Sequence, residues 1–363
     1  MFNNIDLRRL ADLSGPERAF VSLYLSTPDS YDRLKPRIAK IRELLAGEPA
    51  ETEHFEENLK LVEKWLAEHT WTTDGLALFA CWALDFVEGY PLTVPGQEFI
   101  WVDSSPYIRP IAELQDEYEN FVVVAADNTA SRVFFVTSAR PDQDARIKGD
   151  IKNNVKVGGW SQKRYERRRV NELVHYAKEI VDILTEMEQK ETFDRLLLVG
   201  SQETMTEIEN ALTASLTAKL AGKRNVDFSA GDDQLFEAAF EMFTQAERAA
   251  EAQLWEKIKG EYCRGGLAVT GAEDVLKAAA VGRVEKIAVT RDAKIAGARC
   301  RDCENLQTGT PEKCKICGSE SVFKVDLVNE LVELLALTSA EADFVDPIEG
   351  LTNAGDVAAL LRY

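Results

Sequence analysis

The apolar positions of this chain follow two rhythms, short solid runs and stripes that return every three or four residues. Together they predict strands alternating with helices. After an amphipathic "IDLRRLADL", the run "AFVSLYL" (Ala19 to Leu25) reads as a strand, "YDRLKPRIAKIRELLAG" as a helix, and Pro49 to Glu68 as a second, acidic helix. "DGLALFACWALDFVEGYPL" then gives two strands, and the proline-bearing "PLTVPGQEFIWVDSSPYIRP" a loose connection. At Asn120 the pattern changes. "FVVVAADNTASRVFFVT" is two apolar runs around Asp127-Asn128, a hairpin signal. Leu173, Ala177, Ile180 and Leu184, with Val170, Val174 and Val181, mark one face of a long helix. "DRLLLVGS" is a buried strand entering a helix, and "DDQLFEAAFEMFTQAERAAEAQLWEKIKGE" is a second long helix for which Gly260 offers a stop.

From Cys263 the pattern starts afresh. "GLAVTGAEDVLKAAAVGRVEKIAVT" reads as a helix before a strand, and the chain returns to a helix, "VNELVELLAL", a strand, "ADFVDP", and a closing "AGDVAALLRY". The fold class is α/β, expected as three domains, each a mixed sheet with helices. The boundaries fall at residues 1–118, 119–262 and 263–363, with a cysteine-bearing insertion at about 298–324 in the third.

Composition supports real cores: 45% of the 363 residues are hydrophobic and 29% charged. The start of the chain lacks a basic-then-apolar leader pattern, and no apolar run approaches the roughly 18–20 residues of a membrane span, so a cytoplasmic protein with no membrane partner is expected. A net charge of −19 argues against nucleic acid unless positive charge is concentrated locally, because binding follows potential within roughly 8 Å at physiological salt. "IKGDIKNNVKVGGWSQKRYERRR" is such a concentration. Lys148, Lys152 and Lys156 precede Gly158-Gly159, Trp160, Ser161 and Gln162, and Lys163, Arg164, Arg167, Arg168 and Arg169 follow in a helical stretch. Charge alone suits a solvated helix face paired with Glu166 and Glu172. Because the lysines extend it upstream of the helix and the glycines permit close backbone approach, phosphate backbones fit as well. Trp160 among polar neighbours suits stacking on a base or wedging into a tunnel.

Four of the six cysteines, Cys300, Cys303, Cys314 and Cys317, form C-x2-C-x10-C-x2-C. Two such pairs in a reducing compartment read as a metal site. Zinc suits four sulfur ligands, with iron or unpaired thiols the alternatives, and four protein ligands leave no open position, so the role is structural. Gly318 frees amides to donate to the sulfurs. His54, His69 and His175 lack a triad pattern, and Cys81 reads as core. There is no Walker-type phosphate loop.

"GGWSQKRYERRR" resembles the Gly-Gly-Gln segment of archaeal and eukaryotic class-1 peptide chain release factors. Gly158, Gly159, Ser161, Arg164, Tyr165, Arg167 and Arg169 fall where that pattern wants them. "EDVLKAAAVGRVEKIAV" and "DVAALLRY" are similar to the start and final strand of the family's third domain, and the four-cysteine insertion to the zinc ribbon of archaeal members. Pelota-type rescue factors share this architecture. The chain departs from the pattern twice. Trp160 stands where the family has its catalytic glutamine, and an indole offers one N–H donor and no acceptor. The Asn-Ile-Lys-Ser motif that reads stop codons is absent; that region holds "YDRLKPRIAKIREL".

The resemblance implies a monomer that enters the ribosomal A site, with the basic segment on large-subunit ribosomal RNA and an elongation-factor-type GTPase as partner. The departures favour a non-hydrolytic occupant, for hibernation or rescue. A codon-independent peptidyl-tRNA hydrolase using Gln162 is the second expectation, and an RNA-binding module away from the ribosome the third.

Overall fold

Six consecutive buried residues in the first strand show how the amino-terminal layer is built. In "FVSLYL", Val21, Leu23 and Leu25 face one side and Phe20, Ser22 and Tyr24 the other, and none is exposed. The computed structural model describes all residues except 1–4, 17, 72, 93, 95–96, 118–119, 128–129, 137–148, 152–161, 191–192 and 227–231. It divides into two compact units, residues 1–117 with 251–363, and residues 118–250.

In the first unit, α1 (Leu7–Ala11), β1 (Phe20–Leu25), α2 (Ser30–Leu45), α3 (Pro49–Glu68), β2 (Gly75–Cys81), β3 (Phe86–Leu92), β4 (Phe99–Asp103) and α4 (Arg109–Glu117) follow in order. Leu34, Ile38, Ile41 and Leu45 of α2 and Phe55, Leu59 and Val62 of α3 pack on Val21, Leu23 and Leu25. Each such side chain contributes roughly 1.5–3 kcal/mol by burial. The sheet, ordered β3-β2-β1-β4, is antiparallel throughout and not mixed as the sequence suggests. The cause is the helix pair. Arg42 meets Glu56 and Tyr31 meets Glu63, so α2 and α3 run antiparallel, and this second helix adds a third reversal, which leaves β2 antiparallel to β1. The proline-bearing connection expected as loose contains β4 and leads into α4.

The second unit holds β5 (Phe121–Ala126), β6 (Ser131–Val136), β7 (Gly149–Ile151), α5 (Gln162–Lys190), β8 (Arg195–Gly200), α6 (Gln202–Ala211), α7 (Ala214–Lys219), β9 (Leu220–Asn225) and the first part of α8 (Asp232–Cys263). β5 and β6 form the expected hairpin, with the Asp127 side chain accepting from Ala130 N–H at 2.8 Å. The sheet is mixed, in the order β7-β6-β5-β8-β9, with β5, β8 and β9 parallel. Both its faces are covered. Val122 and Val124 pack beneath Leu173, Ala177, Ile180 and Leu184 of α5, whereas Phe121 and Val123 pack against Leu235, Ala239 and Phe243 of α8.

α8 runs through Gly260 to Cys263. Gly265, at φ +66°, ends it: Gly266 N–H reaches Glu261 O at 2.8 Å and Gly265 N–H reaches Tyr262 O at 3.1 Å. The first unit then resumes with β10 (Ala268–Thr270), α9 (Ala272–Ala280), β11 (Val284–Thr290), β12 (Ala296–Cys300), β13 (Leu306–Thr308), β14 (Val322–Asp326), α10 (Leu327–Thr338), β15 (Glu341–Val345), α11 (Glu349–Asn353) and β16 (Val357–Leu361). One sheet is β10-β16-β11-β15, with β11 and β15 parallel; the cysteine lobe is a separate antiparallel sheet, β13-β12-β14. Among the described residues no helix is long and apolar enough to cross a membrane.

Candidate metal centre and the ends of the basic segment

The lobe's two cysteine pairs sit on matching turns. Cys300 ends β12, Glu304 N–H bonds back to Cys300 O at 2.9 Å, and Glu304 adopts φ +56°. In the second turn Gly318 N–H bonds to Cys314 O at 3.0 Å, and Gly318 adopts φ +75°. This left-handed residue after each pair turns the chain back on itself and brings the sulfurs of the two pairs together. The Cys300 and Cys317 sulfurs lie 3.5 Å apart and those of Cys303 and Cys314 3.6 Å apart; all four are within 4.8 Å of one another.

These separations exceed a disulfide's ~2.0 Å and match the edges of a tetrahedron of sulfurs about one ion at ~2.3 Å. Ile316 N–H points at the Cys314 sulfur at 3.4 Å. Backbone N–H groups, that of Cys317 first, hold the Cys314 thiol down to about 6, whereas burial and the neighbouring sulfurs hold those of Cys303 and Cys317 up. Cys300 and Cys314 are buried, and Cys303 and Cys317 face outward. The four sulfurs are thus placed to hold one metal ion.

Of the basic segment, Lys148, Lys152, Lys156, Gly158, Gly159, Trp160 and Ser161 lie outside the described residues. Gln162, Lys163, Arg164, Arg167, Arg168 and Arg169 are helical in backbone, the first turns of α5, and their side chains lie outside the description. The two ends of residues 152–161 are placed: β7 pairs on the edge strand side of β6, with Ile151 opposite Ser131, and α5 begins at Gln162. His175 is an exposed residue 3.6 Å from Glu179, His69 stacks on Trp65, and Cys81 is core, as the sequence suggests.

A polar seam along α10 has no counterpart in the sequence expectations. Asn329 Oδ1 accepts from Ile108 and Arg109 N–H at 2.9 and 3.0 Å and so caps α4. Ser105 Oγ donates to Glu333 at 2.7 Å, and Tyr107 OH and Arg109 Nη1 donate to Asp326 at 2.8 and 3.0 Å. Arg299 pairs with Glu330. Burial pushes the Glu330 carboxyl up to about 7, and burial plus the neighbouring Glu330 charge raise Glu333 well above the carboxylate range. The sequence carries a signal for it: Asn329, Glu330 and Glu333 interrupt the apolar "LVNELVELLAL".

Residues 106–244 match the family model described as Bacterial archaeo-eukaryotic release factor family 10. Peptide chain release factor subunit 1 of Archaeoglobus fulgidus is 25% identical over 283 residues, 72% of this chain and 70% of that protein. Its counterpart in Thermococcus kodakarensis is 22% identical over 320 residues, 80% and 76% of the two chains. Among solved structures, S. cerevisiae Dom34, a translation termination-like factor involved in RNA quality control, aligns over 76% of this chain and 73% of its own. The identity is 12% and the TM-score 0.44, a superposition too loose to bear on any residue. The family model thus matches the centre of the chain, and archaeal release factor 1 proteins are similar to it along most of its length.

Proposed function

We propose that this protein is a release-factor-like translation factor that occupies the ribosomal A site without hydrolysing peptidyl-tRNA, serving in hibernation or rescue. The relatives' names support the release-factor part of the reading. The observation that carries the non-hydrolytic part is Trp160, which replaces the amide side chain the family pattern has after its two glycines. A glutamine carbonyl can orient a water for attack on an ester; an indole cannot accept its proton. In this reading Lys148, Lys152, Lys156 and the arginines from Arg164 to Arg169 neutralise ribosomal RNA phosphates, and Gly158-Gly159 lets the backbone approach. Trp160 packs against bases. Cys300, Cys303, Cys314 and Cys317 hold a structural zinc ion, and an elongation-factor-type GTPase is the partner.

The test uses bacterial ribosomes carrying labelled peptidyl-tRNA in the P site and an empty A site. Full-length protein should co-elute with them on a sizing column while the peptide ester stays intact. Failure to co-elute would sink the ribosomal reading. Peptide release that disappears in Gln162→Ala would replace it with the second reading, a codon-independent hydrolase. One general point bears on that alternative: Gln162 heads α5, and the first turn of a helix presents N–H groups that can stabilise a developing oxyanion.

A further inference from the structure

Within the first unit, a cavity of about 420 Å3 opens where the start of α3 meets the metal lobe. Its wall includes Glu51, His54, Ser104, Arg299, Arg301 and Phe323. Eight buried side-chain nitrogen or oxygen atoms among the described residues lack a hydrogen-bond partner, and four of them belong to this one wall: Glu51 Oε1, His54 Nδ1, Ser104 Oγ and Arg299 Nε. Buried polar atoms without partners are costly, about 1–3 kcal/mol each, so four around one space point to something that fills it. Ser104 is the clearest case: it is 5% exposed, lines the cavity, and its hydroxyl bonds to nothing in the fold.

The unpartnered atoms define the occupant's chemistry. Arg299 Nε–H can only donate, and Glu51, whose Oε2 pairs with Arg18, has an Oε1 that accepts, with Arg301 Nη2 3.5 Å away. Ser104 and His54 can do either. A simple oxyanion offers acceptors alone and leaves Glu51 facing like charge; an ammonium ion offers donors alone and leaves Arg299 unmet. Glu48 and Glu304 on the same wall oppose a polyphosphate. Phe323 adds an apolar face, with the Arg301 guanidinium 5.9 Å from its ring centre. The required molecule is flat, close to neutral, and carries donors and acceptors side by side on its edge.

We propose that this cavity binds a nucleobase, with guanine the best fit: O6 or N7 takes the Arg299 donor, and N1–H and N2–H meet Glu51. The space suits one nucleoside. The base comes either from a free nucleoside or from a base turned out of an RNA strand, and the inference is independent of whether the protein binds ribosomes.

Equilibrium dialysis of the full-length, metal-loaded protein against guanosine, adenosine, cytidine and uridine tests it. Guanosine should bind tightest, and GTP more weakly than guanosine. Ser104→Ala should weaken guanosine roughly fivefold to tenfold with an unchanged melting temperature, because that hydroxyl makes no bond in the fold. A short guanine-bearing RNA that binds at least about tenfold tighter than guanosine, with the same loss in Ser104→Ala, assigns the base to an RNA strand. Equal affinities assign it to the free nucleoside. No binding at millimolar guanosine, equal binding of all four nucleosides, or an unaffected Ser104→Ala variant would overturn the proposal and leave a cavity filled by water.

Discussion

Glu330 and Glu333 show what a single carboxylate costs when it is taken from water. Both are on α10, and the charged groups facing them are Arg299 of β12, Asp103 of β4 and Asp326 at the start of α10. The Glu330 carboxyl rises from 4.5 to about 7, so the folded protein holds a proton there that the unfolded chain has released. Stability from this group is therefore full below about pH 4.5 and is lost as pH rises towards 7. At 1.36 kcal/mol per unit, a rise of about 2.5 units is on the order of 3 kcal/mol. Glu330→Gln, which cannot ionise, should gain on the wild type by about that amount between pH 5 and 8 in urea unfolding. A difference between the two proteins that stays flat with pH would show that Glu330 ionises in the fold as readily as in water.

At the scale of elements, the metal lobe is the least self-sufficient part of the chain. Its sheet buries few apolar side chains, Ala298 and Val325 among them, and much of its interior is Cys300, Cys314 and the amide of Gln307. A core of that size does not hold three strands together without a staple. Elemental analysis should find one zinc ion per chain. Stripping it should speed amide exchange over Ala296–Asp326 by at least about a hundredfold while β5 and β8 keep their protection. Unchanged exchange in the stripped protein would mean the strands are held by other contacts.

The same elements show what a sequence can disclose. β1, β5 and β8 are solid apolar runs because both their faces are covered, and the cysteine spacing announces four sulfurs in one place. β9 passes unnoticed because "LAGKRN" is an edge strand whose second half is exposed, with no apolar run to betray it. β4 is hidden among prolines. The stop of α8 was misplaced at Gly260 because glycine inside a helix and glycine ending one look alike until φ is known. The cavity leaves no trace at all, since Glu51, Ser104 and Arg299 come from segments far apart in the chain.

At the scale of the whole molecule, the division into two units has a consequence for how the chain can be cut. Residues 118–250 carry a sheet covered on both faces by their own helices, Leu173 to Leu184 on one side and Leu235 to Phe243 on the other. Residues 1–117 are different. Their last helix starts at N–H groups capped by Asn329, and Arg109, 7% exposed, has Asp326 and the Ala293 carbonyl as partners. Without residues 251–363 these donors lose their acceptors, at about 1–3 kcal/mol for each that stays buried, against a total stability of only about 5–15 kcal/mol for a domain. A fragment of 118–250 should therefore melt cooperatively by circular dichroism, whereas 1–117 alone should lose its cooperative transition and recover it when 251–363 is supplied in trans. If 1–117 melts alone at the temperature of the intact protein, the polar seam on α10 joins two parts that were already stable. If it needs its partner, the two ends of the chain fold as one body into which the central unit is inserted.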